Sequence, residues 1–334
     1  MSMTNDYFNY TEKYKKEYGE KTIVFLQCGA FYEIYGLKDP KTEKITGSDI
    51  KEFSKINECI IVNKNGCVRE QNLVMAGFKD SQIEKNLRKM QNEGYTIVVI
   101  SQDEQCKNTT RSLSGIYSPG TFFGNDEEIT NNIMCLWIEK YKITENKIVI
   151  GLSCIDIYTG QSFLKELTEN YFRNPTTYDE LEKLISIYKP SEVIIISELD
   201  EKLVDDIIVF VGIECSCVHK LSSKQDSEMA MCIKNCEKQV YQQEIMKRFY
   251  DNDELFFEQF YQYQLATQSF CFLLDYIYKH NPNLVKRLTI PVFENCSKRL
   301  ILANHSLKQL NMIDDHNFKG KMSSISKFLN NCST

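Results

Sequence analysis

Phe31 and Glu33 are the residues whose types and spacing first suggest a chemical role in this 334-residue chain. They follow residues 23–26 (IVFL), an apolar run that predicts a buried strand. In an extended backbone, positions i and i+2 share a face, so the aromatic ring and the carboxylate project together and Tyr32 points the other way. A lone carboxylate is costly in a core. The pair instead suits contact with stacked bases, since a ring can wedge between bases and a carboxylate can bind an exposed base edge. The competing interpretation is a core phenylalanine beside a surface glutamate.

The same residues belong to a longer pattern. Residues 29–33 (GAFYE) resemble the Gly-x-Phe-Tyr-Glu motif in the mismatch-reading domain of the MutS family. Further segments stand in the order and spacing that the family uses: 75–78 (MAGF), 94–102 (GYTIVVISQ), 117–121 (YSPGT) and 151–160 (GLSCIDIYTG). Many members carry an acidic residue where this chain has Ala30, and this departure is similar to the divergent branch of giant viruses and octocoral mitochondria.

The resemblance implies a fold and a function. It implies an α/β chain with a mixed-sheet mismatch-recognition domain over 1–124 and a ribonuclease-H-like connector domain over 128–250. The start of an α-helical core domain would follow over 251–334. The implied function is recognition of mismatched double-stranded DNA by the ring of Phe31 and the carboxylate of Glu33. The full family protein is an ATP-driven dimer that clamps DNA and requires Mg²⁺, and its connector domain offers a surface for a downstream repair protein.

Enzymatic chemistry is not expected of this chain. It contains no G-x-x-x-x-G-K-[ST] phosphate-binding loop, and residues 318–322 (FKGKM) lack its glycine spacing. We therefore expect no cofactor here, with ATP and Mg²⁺ confined to the full-length family protein. The chain is expected to end inside the helical domain.

Charge and composition limit the functions and cellular locations that remain possible for the chain. The net charge is −6, with 17 basic and 16 acidic residues in 1–124 and 23 and 30 in the remainder. The part assigned to DNA is near neutral, which predicts modest affinity because phosphate neutralisation dominates binding strength. Candidate phosphate contacts are Arg69, Lys79, Lys85 and Arg111, although each is equally well explained as a solvated surface charge. No apolar run is long enough to span a membrane, and the N-terminus lacks a secretory signal, so we expect an intracellular protein with reduced thiols.

Two other groups of residues have the types that bind metal ions. Cys215, Cys217 and His219, followed by Cys232 and Cys236, could supply zinc ligands, but their spacing departs from standard zinc motifs. Asp156, on a strand of the ribonuclease-H-like domain, could join acids at a later strand end in a two-metal nuclease: Glu198, Asp200 and Glu201. Asp156 is better explained as support for the turn at 159–160. A protein–protein module without DNA binding is the third possibility.

The periodicity predicts the elements that carry these residues. Helices are expected at 4–18, 49–56, 81–93, 178–188 and 252–278, and strands at 22–27, 59–62, 95–101, 134–141, 148–155, 160–167 and 193–196. Residues 63–66 (NKNG) are expected to form a turn.

Overall fold

The structure is a computed structural model, and it describes residues 3–68, 71–102, 110–121, 130–141, 146–250, 260–285, 288–293, 309–312 and 324–329. Two mixed sheets with helices on their faces make up most of the described chain. This is the α/β architecture that the sequence predicts.

The first sheet carries the Phe31 segment. Its strands are β1 (Thr22–Cys28), β2 (Phe31–Lys38), β3 (Ile45–Thr46), β4 (Val62–Val68), β5 (Gln71–Lys79), β6 (Thr96–Gln102) and β7 (Arg111–Tyr117). They lie in the order β4-β5-β2-β1-β6-β7, and β3 pairs with β2. Its helices are α1 (Met3–Tyr18), α2 (Ile50–Asn57) and α3 (Ile83–Asn92), and a 3₁₀ turn (Asp80–Gln82) precedes α3.

Aromatic contacts show which helix covers which face of this sheet. Tyr7 of α1 meets the ring of Tyr35 edge to face at 5.1 Å, so α1 covers the side to which Phe31, Glu33 and Tyr35 point. Phe53 of α2 meets Phe25 at 5.5 Å on the opposite side. The middle of β2 is therefore enclosed, and its exposed residue is Phe31 at one end.

The second sheet has ribonuclease-H-like topology. Its strands are β8 (Asn132–Tyr141), β9 (Lys147–Asp156), β10 (Ser162–Asn170), β11 (Glu192–Ser197), β12 (Cys217–Leu221) and β13 (Val292–Phe293), in the order β12-β11-β8-β9-β10-β13. The first three form the predicted antiparallel meander, and β11 and β12 add in parallel to β8. Its helices are α4 (Asp179–Tyr188), α5 (Glu201–Val211), α6 (Glu228–Cys236), α7 (Gln239–Phe249) and α8 (Gln264–His280); a short α9 (Ile325–Leu329) lies further on. The sequence patterns did not predict α5 or β12.

Helix α8 bears on one expectation and overlaps the predicted helix. We predicted a helix over 252–278 as part of a third domain beginning at 251, but α8 starts at Gln264 and packs on the second sheet. Gly151 of β9 permits this contact, because a Cβ atom there would lie 2.1 Å from the Leu265 carbonyl carbon. Residues 251–259, where the predicted helix would begin, lie outside the described part. The predicted domain boundary near 124–128 also lies outside the described residues.

Strand β4 corrects a second expectation. The predicted strand at 59–62 and turn at 63–66 are replaced by a strand that runs through Val62–Val68. Its pairing with β5 shifts register between Asn63 and Cys67, so the Asn-Lys-Asn-Gly sequence forms a bulge rather than a chain reversal. Lys64 lies in this bulge.

The two sheets are joined by polar contacts of α1. The Glu17 carboxylate accepts hydrogen bonds from the backbone N–H groups of Glu228 and Met229 at the start of α6, and Lys16 pairs with Asp226 at 2.7 Å. Tyr18 meets His280 of α8 edge to face at 5.4 Å. Among the described helices, none is both long and apolar enough to cross a bilayer.

Candidate functional site

A two-residue turn places Phe31 at the tip of the β1–β2 hairpin. Cys28 pairs with Phe31 across the turn, and Gly29 has a φ of +60°. Hairpins of this length need positive φ at the turn, and glycine adopts it without steric cost. The glycine of the motif therefore has a structural reason to stand two residues before the aromatic ring.

Neighbouring strands hold this tip on both sides. The Gln102 side chain accepts from the Gly29 N–H at 3.1 Å, and the Arg111 Nε–H donates to the Gln27 carbonyl at 3.0 Å. On the other side, the Asp80 N–H donates to the Ala30 carbonyl at 3.0 Å. These bonds fix the hairpin before any ligand arrives, which is the arrangement that a precise contact requires.

The Phe31 ring is exposed, and its neighbour Tyr32 is not. Phe31 is 47% exposed, whereas Tyr32 is buried and stacks on Phe78 with 5.7 Å between ring centroids. The opposite projection of these two side chains is as the sequence predicts. Lys79 of β5 pairs directly with Phe31 and is exposed, so its side chain projects from the same face of the sheet as the ring.

Glu33 lies one strand position further in and is bound by two side chains. Lys64 Nζ donates to Glu33 Oε2 at 2.7 Å, and the Tyr35 hydroxyl donates to the same oxygen. The Lys64 ammonium also lies 3.0 Å from the Tyr35 hydroxyl and 4.7 Å above the centre of its ring. The Glu33 side chain is 15% exposed, so the carboxylate is largely withdrawn from water.

These partners determine the charge of Glu33. Desolvation by burial on its own would raise the pKa of the Glu33 carboxyl, but the hydrogen bonds from Lys64 and Tyr35 outweigh it and hold the pKa below its ordinary value. The group is therefore a carboxylate at neutral pH, with hydrogen-bond acceptors only.

The predicted phosphate contacts fall in different places. Lys79 is exposed at the tip, and Lys85 is exposed in the first turn of α3. Arg111 is half-buried and donates a hydrogen bond to the Gln27 carbonyl, which holds the hairpin. The sequence did not predict this contact. Arg69 lies outside the described residues.

The acidic residues proposed for a nuclease do not lie together in the structure. Asp156 Oδ1 accepts from the N–H groups of Asn131 and Tyr158, and Oδ2 accepts from the Thr159 hydroxyl, which is the turn support that the sequence predicts. Strand pairing places Asp156 opposite Asn132 at one end of β8, whereas β11 ends with Ser197 opposite Ile138, toward the other end. Glu198 follows β11 and pairs with Lys224 at 2.9 Å. The hypothesis of a shared metal site for Asp156, Glu198, Asp200 and Glu201 is therefore wrong.

The five residues proposed for zinc are also divided. Cys217 Sγ lies 3.2 Å from His219 Nε2, but the third group in this buried cluster is Glu192 rather than another cysteine. Cys232 instead donates to Asp275 Oδ2 at 3.1 Å, with Cys236 beside it. Within the described chain, the predicted cysteine set forms no common site.

The Glu192 cluster is a satisfied hydrogen-bond network. Glu192 Oε1 lies 2.9 Å from His219 Nε2 and accepts from the Tyr276 hydroxyl at 2.5 Å, while Oε2 accepts from the Gly120 N–H at 2.7 Å. Buried polar groups that are all paired in this way stabilise one arrangement of the chain. This network joins the segment after β7 to the second sheet.

Sequence reasoning missed the two residues that bind Glu33. Tyr35 stands two positions after Glu33 on the same strand, so the shared face was a usable signal. Lys64 gave none, because its neighbours are typical turn residues and the bulge depends on pairing with β5.

Comparison with known families settles the assignment. The profile of MutS domain I matches residues 3–126, and that of MutS domain II matches residues 131–281. The chain belongs to the MutS family. Within the MutS family it is similar to a mutS homolog of Acanthamoeba polyphaga mimivirus, with 29% identity over 98% of this chain and 31% of the relative.

Bacterial MutS proteins match a shorter part. The DNA mismatch repair protein MutS of Flavobacterium psychrophilum is 27% identical over 54% of this chain and 18% of its own length. That of Thermodesulfovibrio yellowstonii is 29% identical over 56% of this chain and 19% of its own length. The chain thus spans about a third or less of these relatives, and the two matched profiles are those of the first two MutS domains.

Proposed function

We propose that this chain recognises mispaired bases in double-stranded DNA, with Phe31 as the wedge and Glu33 as the group that binds an exposed base edge. The observation that carries the proposal is the exposed Phe31 ring on a hairpin tip that β5, β6 and β7 hold in place. This exposure leaves the Phe31 ring accessible to a ligand, which a ring sealed in the core would not be.

The energetics favour mispaired steps. Stacking on an aromatic ring is worth about 1–3 kcal/mol per base, and unstacking a paired step costs a few kcal/mol. The insertion of Phe31 is therefore close to break-even on matched duplex and favourable where pairing is already weak. The protein reads the deformability of DNA rather than its sequence.

The predicted phosphate contacts have a supporting part. Lys79, Lys85 and Arg111 would contact phosphates, and we assign the same role to Arg69. Such contacts hold the duplex against the hairpin without selecting a base, so they raise affinity for matched and mismatched DNA alike.

The larger assembly follows the family. We propose that this chain acts as the DNA-binding portion of an intracellular MutS protein that dimerises and uses ATP and Mg²⁺ elsewhere, and that it catalyses no reaction and needs no cofactor itself. A downstream repair protein would dock on the second sheet and its helices.

Phe31→Ala tests the proposal. Loss of one stacking contact should weaken binding to a mismatched duplex roughly 5- to 150-fold and leave the weak, salt-sensitive binding to matched duplex unchanged. Fluorescence anisotropy with the two duplexes at low salt measures both. Lys79→Met is the control, because loss of the neighbouring cation should weaken both duplexes equally. Full discrimination in Phe31→Ala would contradict the wedge, and equal, negligible binding of both duplexes by the unaltered chain would favour a protein–protein module.

A further inference from the structure

Lys64 is the side chain that the proposed function leaves unexplained. It lies in the β4 bulge, two strands away from β2 in the sheet order, yet its ammonium is 2.7 Å from Glu33 Oε2. Bulges re-aim side chains that a regular ladder would direct elsewhere. An irregular strand that delivers a cation to the base-reading carboxylate calls for a reason beyond stability.

The electrostatic surroundings of Glu33 supply that reason. DNA phosphates repel a carboxylate, and burial penalises its charged form. A carboxylate without a counter-ion at the DNA surface would therefore take up a proton or turn away from the duplex. Lys64 places an ammonium group within hydrogen-bonding distance of Glu33 Oε2, and it supplies the missing positive charge.

The geometry also restrains the carboxylate. Lys64 and the Tyr35 hydroxyl both donate to Oε2, and Tyr35 is fully buried against Tyr7 of α1. Gly77 of β5 stands opposite Glu33, and a Cβ atom there would lie 3.7 Å from Glu33 Cγ. The carboxylate is thus held from one side by donors and faces a glycine on the neighbouring strand.

We propose that Lys64 is a positioning residue for mismatch recognition: it holds the Glu33 carboxylate in place and in its charged form, so that base discrimination depends on Lys64. This inference rests on the proposed function, because it assigns Glu33 to the base edge. It predicts that Lys64 affects the preference for mismatched DNA rather than overall affinity.

Lys64→Met is the decisive variant. The ratio of mismatched to matched affinity should fall by roughly three- to tenfold, the size expected when a partly exposed charge-assisted hydrogen bond is lost. Lys64→Arg keeps the charge and should retain most of the ratio. Lys38→Met is the matched control, because Lys38 lies at the far end of β2, is paired with Glu43 and is 30% exposed in its side chain against 31% for Lys64.

The pH profile separates positioning from a purely structural role. The groups that face Glu33 are Lys64 of β4, Tyr35 of β2 and Cys28 of β1, with Arg111 of β7 beside Cys28. Burial raises the pKa of Glu33 and the Lys64 ammonium lowers it. Without the ammonium, Glu33 should therefore take up a proton at a higher pH. As pH is lowered, the mismatch preference of Lys64→Met should therefore be lost at a higher pH than that of the unaltered chain. Glu33→Gln has no carboxyl group at this position, so its preference should show no such loss. NMR titration of carboxyl-labelled glutamate in the free protein should show the same upward displacement.

The outcomes distinguish the two proposals. An equal loss of affinity for both duplexes in Lys64→Met would make Lys64 an ordinary phosphate contact and overturn the inference, as would an unchanged ratio and an unchanged Glu33 titration. Discrimination that survives Lys64→Met but is lost in Phe31→Ala would leave the wedge intact. Discrimination that survives Phe31→Ala would overturn the proposed function, while the NMR titration would still test whether Lys64 controls the charge of Glu33.

Discussion

On the proposed DNA surface, phosphates would repel the Glu33 carboxylate, and its partners explain how it stays charged. Lys64 supplies the opposite charge and Tyr35 a neutral hydrogen bond, both to the same oxygen. Charged donors bind carboxylates more strongly than neutral ones. The two partners should therefore make unequal contributions to the ionisation of Glu33.

Tyr35→Phe tests this inequality at the level of a single hydroxyl. The variant keeps the buried ring and the Lys64 ion pair, so the preference for mismatched duplex should fall less than in Lys64→Met, by about threefold or less. The pH at which the preference is lost should rise less as well. Competition binding with matched and mismatched duplexes checks both. A larger effect of Tyr35→Phe than of Lys64→Met would show that the hydroxyl, not the ammonium, controls the carboxylate.

At the level of elements, periodicity and turn chemistry predicted most of the structure around the site. The apolar run at 23–26 became β1, and Gly29 formed the turn that exposes Phe31. The amphipathic pattern at 81–93 became the 3₁₀ turn and α3. These features are local, so a single sequence suffices to find them.

Elements that depend on distant partners could not be found in this way. β4 contains a turn-like sequence and exists because it pairs with β5, with a bulge at Lys64. The helix α8 is buried on nearly all sides, a pattern that indicates a central helix, but its position on the second sheet depends on the space above Gly151. The ion pair of Glu33 was missed for the same reason, since Lys64 and Glu33 meet only after β4 has paired.

At the scale of the whole molecule, Glu192 of β11 joins β12 and α8 to the segment that leads from the first sheet. Its carboxylate binds His219 of β12, Tyr276 of α8 and the Gly120 N–H, and it is fully buried. Burial alone would raise the pKa of Glu192, but His219 holds it near 2; burial alone would lower the pKa of His219, but Cys217 and Glu192 raise it to about 10.

These shifts set the pH range over which the pair stabilises the fold. The contribution of Glu192 is complete above its ordinary pKa of 4.5 and is lost as pH falls toward 2. That of His219 is complete below its ordinary pKa of 6.5 and is lost as pH rises through about 10. The pair therefore stabilises most between pH 4.5 and 6.5.

Glu192→Gln should be destabilised by roughly 3–5 kcal/mol within that range, because it leaves a buried imidazolium without its counter-ion. The deficit should shrink as pH rises toward 10, where His219 loses its proton. Urea unfolding followed by the fluorescence of Trp137, the single tryptophan of the chain and a residue of β8, reports on this sheet. Glu198→Gln, at an exposed surface pair just beyond β11, should cost no more than about 1 kcal/mol. Equal losses in the two variants, or a deficit that does not vary with pH, would contradict this assignment.

The central claim is that Phe31 enters the base stack at a mispaired step. It is tested most directly by a duplex that carries 2-aminopurine beside a single mismatch, because the fluorescence of this base rises when it unstacks. The unaltered chain should raise the fluorescence of the mismatched duplex but not of the matched one, and Phe31→Ala should abolish the rise at protein concentrations that saturate the DNA. An undiminished rise with Phe31→Ala, or an equal rise with matched duplex, would contradict the account.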